Sequence, residues 1–112
     1  MKFDISSNGI SVDGTKLFAE ELRGNQIMTE LNISSNRITD RAGYQNCNDM
    51  SGVTALVGVI PGMGALSTFT FSGDYDSGPF TMETTMTEAD FSGKKLGVSG
   101  GMMVAAFLPK CQ

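Results

Sequence analysis

The stretch LNISSNRI at residues 31–38 is a near copy of FDISSNGI at residues 3–10, with Asn8 and Asn36 in the same slot. In both copies an apolar residue alternates with a polar one before a small-residue corner, as in a short half-buried strand that turns sharply. The two asparagines stand 28 residues apart. A fixed period in the twenties is the mark of a stacked-repeat architecture and has to be tested before any other reading. Asn8-Gly9 taken alone also fits a two-residue hairpin turn. Asn36 keeps the slot with Arg37 behind it, which favours a repeated corner.

Between the copies lies SVDGTKLFAEELRGNQ (residues 11–26). Leu17, Phe18, Ala19 and Leu22 fall near helical spacing, while Lys16, Glu20, Glu21 and Arg23 take the wet side. Asp13 is the expected N-terminal cap, and Gly24-Asn25 the stop. One unit therefore reads strand (3–6 or 31–34), asparagine turn, helix, turn. Further on, LSTFTFSGD (66–74) and MTEADFSGKKL (86–96) repeat the apolar–x–apolar core, and GVSGGMMVAAFLPKCQ (97–112) runs parallel to the first helix. Leu22 and Leu108 are 86 residues apart, close to three periods.

On Met28, Leu31, Ile33, Asn36 and Ile38, and on Phe3, Ile5, Asn8 and Ile10, the chain resembles the leucine-rich repeat family, in its ribonuclease-inhibitor-like subtype. The resemblance implies an α/β fold: a short right-handed solenoid of about four units, with parallel strands and outer helices, spanning residues 1–112 as one domain. Each corner asparagine, Asn8 and Asn36, would act as scaffold, its amide bonding the backbone of its own turn and of the next unit.

The pattern breaks in the second half. The third and fourth corners are Asp74 and Lys94. A carboxylate only accepts and an ammonium only donates, so the asparagine ladder is expected to fail there. An insertion around TDRAGYQNCNDMSG (39–52) lengthens one unit, and the next is short. Alternating Phe80, Met82, Thr84 and Met86 against Thr81, Glu83 and Thr85 argues for a strand. The third helix is thus expected to be replaced by an extended segment, a hairpin pairing 69–71 with part of 80–86. Both ends look uncapped, which predicts a fragment, a subunit docked on something larger, or self-association.

The apolar run 53–66 reads as a helix with Val53, Leu56, Val57 and Ile60 in one stripe, and Val59 and Met63 outside it. It is either buried between neighbours or a contact surface for another subunit. Pro61 interrupts the run, and it is too short to span a bilayer. No secretory signal pattern is present, so the expected location is the cytoplasm or an organelle interior. Asn32 fits the glycosylation sequon, but its strand position argues against use.

Charge and composition narrow the chemistry. The chain carries a net charge of −4 and no histidine. Nucleic acid and anionic membrane are poor partners for such a balance. The commonest general base and metal ligand are missing. Cys47 and Cys111 are free thiols or, less favoured, one disulfide. No basic neighbour is placed to activate Cys47. Asp74-Tyr75-Asp76-Ser77-Gly78 resembles half of a calcium loop, but the glycine comes a place early and Glu83 too soon, so an ordinary turn is expected. No cofactor, metal or catalytic residue is assigned, and no enzymatic activity is expected.

The resemblance implies protein binding through the concave sheet face, whose expected residues are Asp4, Glu30, Asn32, Thr68, Thr70, Glu88 and Asp90. Four of these are acidic, and the only basic residue in the same set of flanking positions is Lys2. The face is either an acidic groove for a basic partner or an idle solvated surface. The alternative function is a structural or accessory subunit of a larger complex, itself membrane-associated or not.

Overall fold

The computed structural model describes residues 1–41 and 49–111. It is a mixed α/β structure with a four-stranded, mostly parallel sheet in the order β1-β2-β3-β4 and, among the described residues, three α-helices. The elements are β1 (Lys2–Asp4), α1 (Ser11–Leu22), β2 (Glu30–Asn32), α2 (Ser51–Val59), β3 (Thr68–Phe71), β4 (Phe80–Glu83) and α3 (Gly97–Phe107). β1, β2 and β3 are parallel, with Phe3 beside Leu31 and Leu31 beside Phe69. β4 turns back antiparallel to β3, pairing Phe71 with Phe80 and Thr68 with Glu83.

Alternation along the strands sends Leu31, Phe69, Phe71, Phe80 and Met82 into the core, where none is more than 5 % exposed. The helices cover that side. Rings form a continuous row: Phe107 of α3 stacks on Phe69 at 6.0 Å, Phe69 on Phe71 at 5.1 Å, and Phe71 lies 5.9 Å from Phe80. Burying one such ring contributes about 2–3 kcal/mol. Gly52 lets α2 approach α1: a side-chain carbon there would press against Thr15 and the Ile38 carbonyl at 3.1 Å.

Several expectations are corrected. The strands begin and end earlier than the apolar pattern suggests, with Ile5 and Ile33 just past their ends, although the N–H groups of both still bond the neighbouring strand at 2.9 Å. Asp13 does not cap α1. The first N–H groups of that helix instead reach the backbone of the following turn, Ser11 to the Asn36 carbonyl at 2.9 Å and Val12 to the Asp40 carbonyl at 2.7 Å. Leu17 is exposed, and Thr15 takes its expected place among the buried residues of α1, its hydroxyl bonded to the Ser11 carbonyl. Val59 and Met63 are buried rather than outside the stripe, and Val57 is only half-buried: Val53, Leu56 and Val59 follow one another at three-residue spacing on the inner face of α2, and Met63 follows the 3-10 turn at Ile60–Gly62. Leu108 is exposed and Phe107 fills the core, so the match between Leu108 and Leu22 is off by one residue. Cys47 and most of the inserted stretch lie outside the described residues. Cys111 is a free, half-buried thiol whose Sγ lies 3.5 Å from the Glu83 carbonyl.

The corners show which parts of the phrase are structural. Asn36 is fully buried. Its Nδ2 donates to the carbonyls of Ile5 (2.9 Å), Ile33 (3.0 Å) and Ser34 (3.3 Å), and its Oδ1 accepts the Asn8 N–H at 2.7 Å. Asn8 is exposed, and its side chain bonds only its own turn, at the carbonyls of Ile5 and Ser6. At the third corner a hydroxyl and a carboxylate accept where the asparagine oxygen accepted. The Ser72 hydroxyl takes the Ser35 N–H at 2.9 Å, and the Asp76 carboxylate takes the Arg37 N–H at 3.0 Å.

Asp74 is not a rung. Its carboxylate reaches across to α3 and accepts from the N–H groups of Val98 (3.2 Å) and Ser99 (3.1 Å) and from the Ser99 hydroxyl (2.6 Å). A carboxylate at a helix N-terminus satisfies unpaired donors and complements the helix dipole. Lys94 is exposed, and its backbone N–H closes a local turn onto Phe91 at 3.2 Å.

Candidate protein-binding face

The side of the sheet away from the helices carries the residues between the core positions. Register places Lys2 beside Glu30 and Glu30 beside Thr68, then Asp4 beside Asn32 and Asn32 beside Thr70. The antiparallel pairing extends these rows to Glu83 and Thr81. Five of the seven expected residues, Asp4, Glu30, Asn32, Thr68 and Thr70, therefore share one surface. With Lys2 they line a shallow cavity of about 280 Å³.

Glu88 and Asp90 are not on this face. They lie in the exposed irregular segment after β4. The physical reason is competition for the edge of β3. The strand at 80–83 occupies that edge antiparallel, so the later apolar–x–apolar phrase has no parallel partner left. Phe91 packs edge-on against Phe80 at 5.7 Å instead. Asp90 lines a separate cavity of about 410 Å³ beside β4, and Glu88 a third one of about 180 Å³ next to Met86 and Cys111.

The places they were expected to fill are taken by Glu83 and Thr81, both exposed. Their signal was present in the sequence as the polar side of the 80–86 alternation. What it lacked was the register that sets Glu83 opposite Thr68. The Thr70 and Thr81 hydroxyls lie 3.0 Å apart, so the β3–β4 half of the face is a row of small hydroxyls.

Charge divides the surface. Asp4, Glu30 and Glu83 are acidic and Lys2 is the basic residue among them, with its Nζ 3.6 Å from the Glu30 carboxylate. Both partners of that pair are open to solvent, so it holds them weakly. Hydrogen bonds from the Ser6 hydroxyl and N–H hold the Asp4 carboxyl below the usual carboxylate range, so it stays ionised. Asn32 is fixed by Ser34, whose hydroxyl and N–H both bond its Oδ1, at 2.7 and 3.0 Å.

One short turn closes three of the apolar–x–apolar phrases, and Asp49 with Ser51 forms the same turn before α2, at 2.9 Å. Asp4 accepts the Ser6 N–H at 2.9 Å, Asn32 accepts that of Ser34, and Asp90 accepts that of Ser92 at 2.9 Å. Backbone conformation repeats too: Ser7 and Gly9, Ser35 and Arg37, and Gly93 and Lys95 all adopt left-handed φ between 53° and 66°. The segment after β4 thus keeps the local geometry of the phrase after losing its place in the sheet.

Among the described residues no group of three or more His, Cys, Asp or Glu is placed to hold a metal ion, and no helix is long and apolar enough to cross a membrane. The carboxylates of Asp74 and Asp76 are engaged by backbone N–H groups, as described above.

A four-stranded, mostly parallel sheet backed by helices, with a buried asparagine at a tight corner, is compatible with a leucine-rich-repeat type of α/β fold. Residues 22–44 match the family model described as Leucine Rich repeat. That segment contains β2 and the Asn36 corner, so the chain carries a leucine-rich repeat there. No curated protein and no solved structure matches the chain. Leucine-rich repeats generally mediate contacts between proteins.

Proposed function

We propose that the chain is a non-catalytic protein-binding module that takes a basic partner on the exposed sheet face. The observation behind this reading is the placing on one sheet face of three carboxylates, Asp4, Glu30 and Glu83, among small polar residues, with Lys2 the one basic side chain beside them. A lysine- or arginine-rich extended segment lying across the strands would meet Asp4 and Glu30 on one half and Glu83 on the other. The face has no aromatic anchor, so binding would be weak and dominated by charge. The three phrases in which that turn is followed by a pair of left-handed residues support reading the chain as a short solenoid with two regular units and a remodelled C-terminal half.

The test is fluorescence anisotropy of a labelled oligolysine peptide titrated with the protein at low and high salt. Glu30→Lys and Glu83→Lys are expected each to weaken binding, and salt to weaken it further. Asp90→Lys, off the face, serves as the control. Equal effects of all three substitutions would remove the sheet face from the proposal. The second reading, a subunit of a larger assembly, is supported by the open outer edge of β1.

A further inference from the structure

Every inward-facing backbone group of β1 is directed at β2. Ile5 and Ser7 donate to the carbonyls of Asn32 (2.9 Å) and Ser34 (3.0 Å), and the Met1 carbonyl accepts from Thr29 at 2.7 Å. Since odd-numbered residues face β2, the N–H and C=O groups of Lys2 and Asp4 point outward. Among the described residues nothing pairs with them. The next outward donor, Ser6 N–H, is already taken by the Asp4 carboxylate. The open edge is therefore confined to two residues of opposite charge.

The apolar layer beneath this edge is also incomplete. Leu31 and Ile33 of β2 and its turn are 1 % and 2 % exposed, whereas the matching Phe3 and Ile5 are only half-buried. Phe3 stacks on Phe18 at 5.7 Å, and Met1 and Ile27 stand exposed nearby, the Met1 amine bonded to the Ile27 carbonyl.

We propose that the β1 edge pairs with the β1 edge of a second copy of this chain, antiparallel and centred on Phe3. Only this register fits. Parallel pairing in register sets Lys2 beside Lys2 and Asp4 beside Asp4. Antiparallel pairing centred on Lys2 or on Asp4 again opposes like charges. A shift by one residue turns the apolar faces apart. Centred on Phe3, Lys2 of each copy lies opposite Asp4 of the other. The outward N–H and C=O groups of these residues meet as two hydrogen-bonded pairs, and the two Phe3 rings meet at the closer, non-bonded position. Pairing two edges in this way removes an exposed strand edge. It also makes one continuous sheet whose acidic face is twice as wide.

The experiment is sedimentation equilibrium of the full chain over a concentration series, with Asp4→Lys, Lys2→Asp and the double charge swap Lys2→Asp/Asp4→Lys. Amide hydrogen exchange of the wild type is measured at low and high concentration. The wild type is expected to dimerise reversibly. Each single substitution opposes two like-charged pairs and is expected to weaken the dimer by about tenfold. The double swap restores it. Exchange at the Lys2 and Asp4 amides slows as concentration rises. A monomer at every concentration, a dimer indifferent to Asp4→Lys, or exchange at Lys2 and Asp4 that ignores concentration overturns the proposal. Should a single variant fail to fold, the double swap and the wild-type exchange decide alone.

Discussion

The side-chain oxygen of Asn36 accepts the backbone N–H of Asn8 at 2.7 Å, joining two corners that the chain separates by 28 residues. The same side chain ties three carbonyls together through its amide nitrogen. The β1 and β2 turns are thus held by one fully buried polar group, and among the described residues no buried side-chain polar atom lacks a partner.

Asn36→Ala strands the Asn8 N–H and the carbonyls of Ile5 and Ile33. Leaving such buried groups unpaired is expected to destabilise the fold by about 2–4 kcal/mol. Asn8→Ala removes only the two hydrogen bonds that its exposed side chain makes to its own turn, and is expected to cost about 1 kcal/mol or less. Urea denaturation of the two variants checks the order. A larger loss at Asn8 would contradict the assignment of Asn36 as the central rung.

Asp74 holds the start of α3 from 25 residues away in sequence. Asp74→Ala is expected to cost about 1–2 kcal/mol. Gly97 sits at φ +67° with no space for a side chain, because a carbon there would run into the Asp74 carboxylate. Gly97→Ala is therefore expected to damage the same cap, combining backbone strain with that collision. Double-mutant analysis checks this: the two losses should fall short of additive, since both act on one contact.

Phe69 joins α3 to β4 through Phe107 and Phe71. Phe69→Ala opens a cavity in a fully buried site and is expected to cost about 3–5 kcal/mol. Phe91→Ala, at the half-buried end of the row, is expected to cost clearly less. Thermal unfolding of both checks the gradient.

The carboxyls of Asp4 and Asp90 are held below their ordinary value first by the hydroxyl and then by the N–H of Ser6 and Ser92 respectively. Asp49 is held down by the N–H and hydroxyl of Ser51. A depressed folded-state value stabilises the fold above the unfolded-state carboxylate pKa, and that contribution is lost as pH falls through the folded value. The expected result is an acid limb that begins near the ordinary carboxylate range. Ser92→Ala should raise the Asp90 titration midpoint and leave Asp4 unmoved, as read by carboxyl-carbon NMR.

Much of the first half was legible because its information is local. Apolar alternation and the asparagine slot placed β1, β2 and their corners. The threonine-rich alternation at 80–86 marked a strand, and a hairpin back onto 69–71 is what forms. Glu88 and Asp90 were misplaced by the same logic. Their phrase repeats the earlier ones down to the Asp90–Ser92 turn, and nothing local reports that the sheet edge is already occupied. The partner of Asp74 was equally hidden, since a helix start far along the chain leaves no trace at the corner.

The sequence by itself determined the strand and helix periods, the 28-residue spacing and the chemical incompatibility of Asp74 and Lys94 with an asparagine ladder. These follow from side-chain chemistry and from contacts a few residues apart. Only the tertiary structure decided which strand takes the edge of β3, which acidic residues share a face, and which polar groups are buried. Those outcomes depend on competition among distant segments for one sheet edge and for the space beneath it. That competition places Glu83 opposite Thr68 and leaves Asp90 outside.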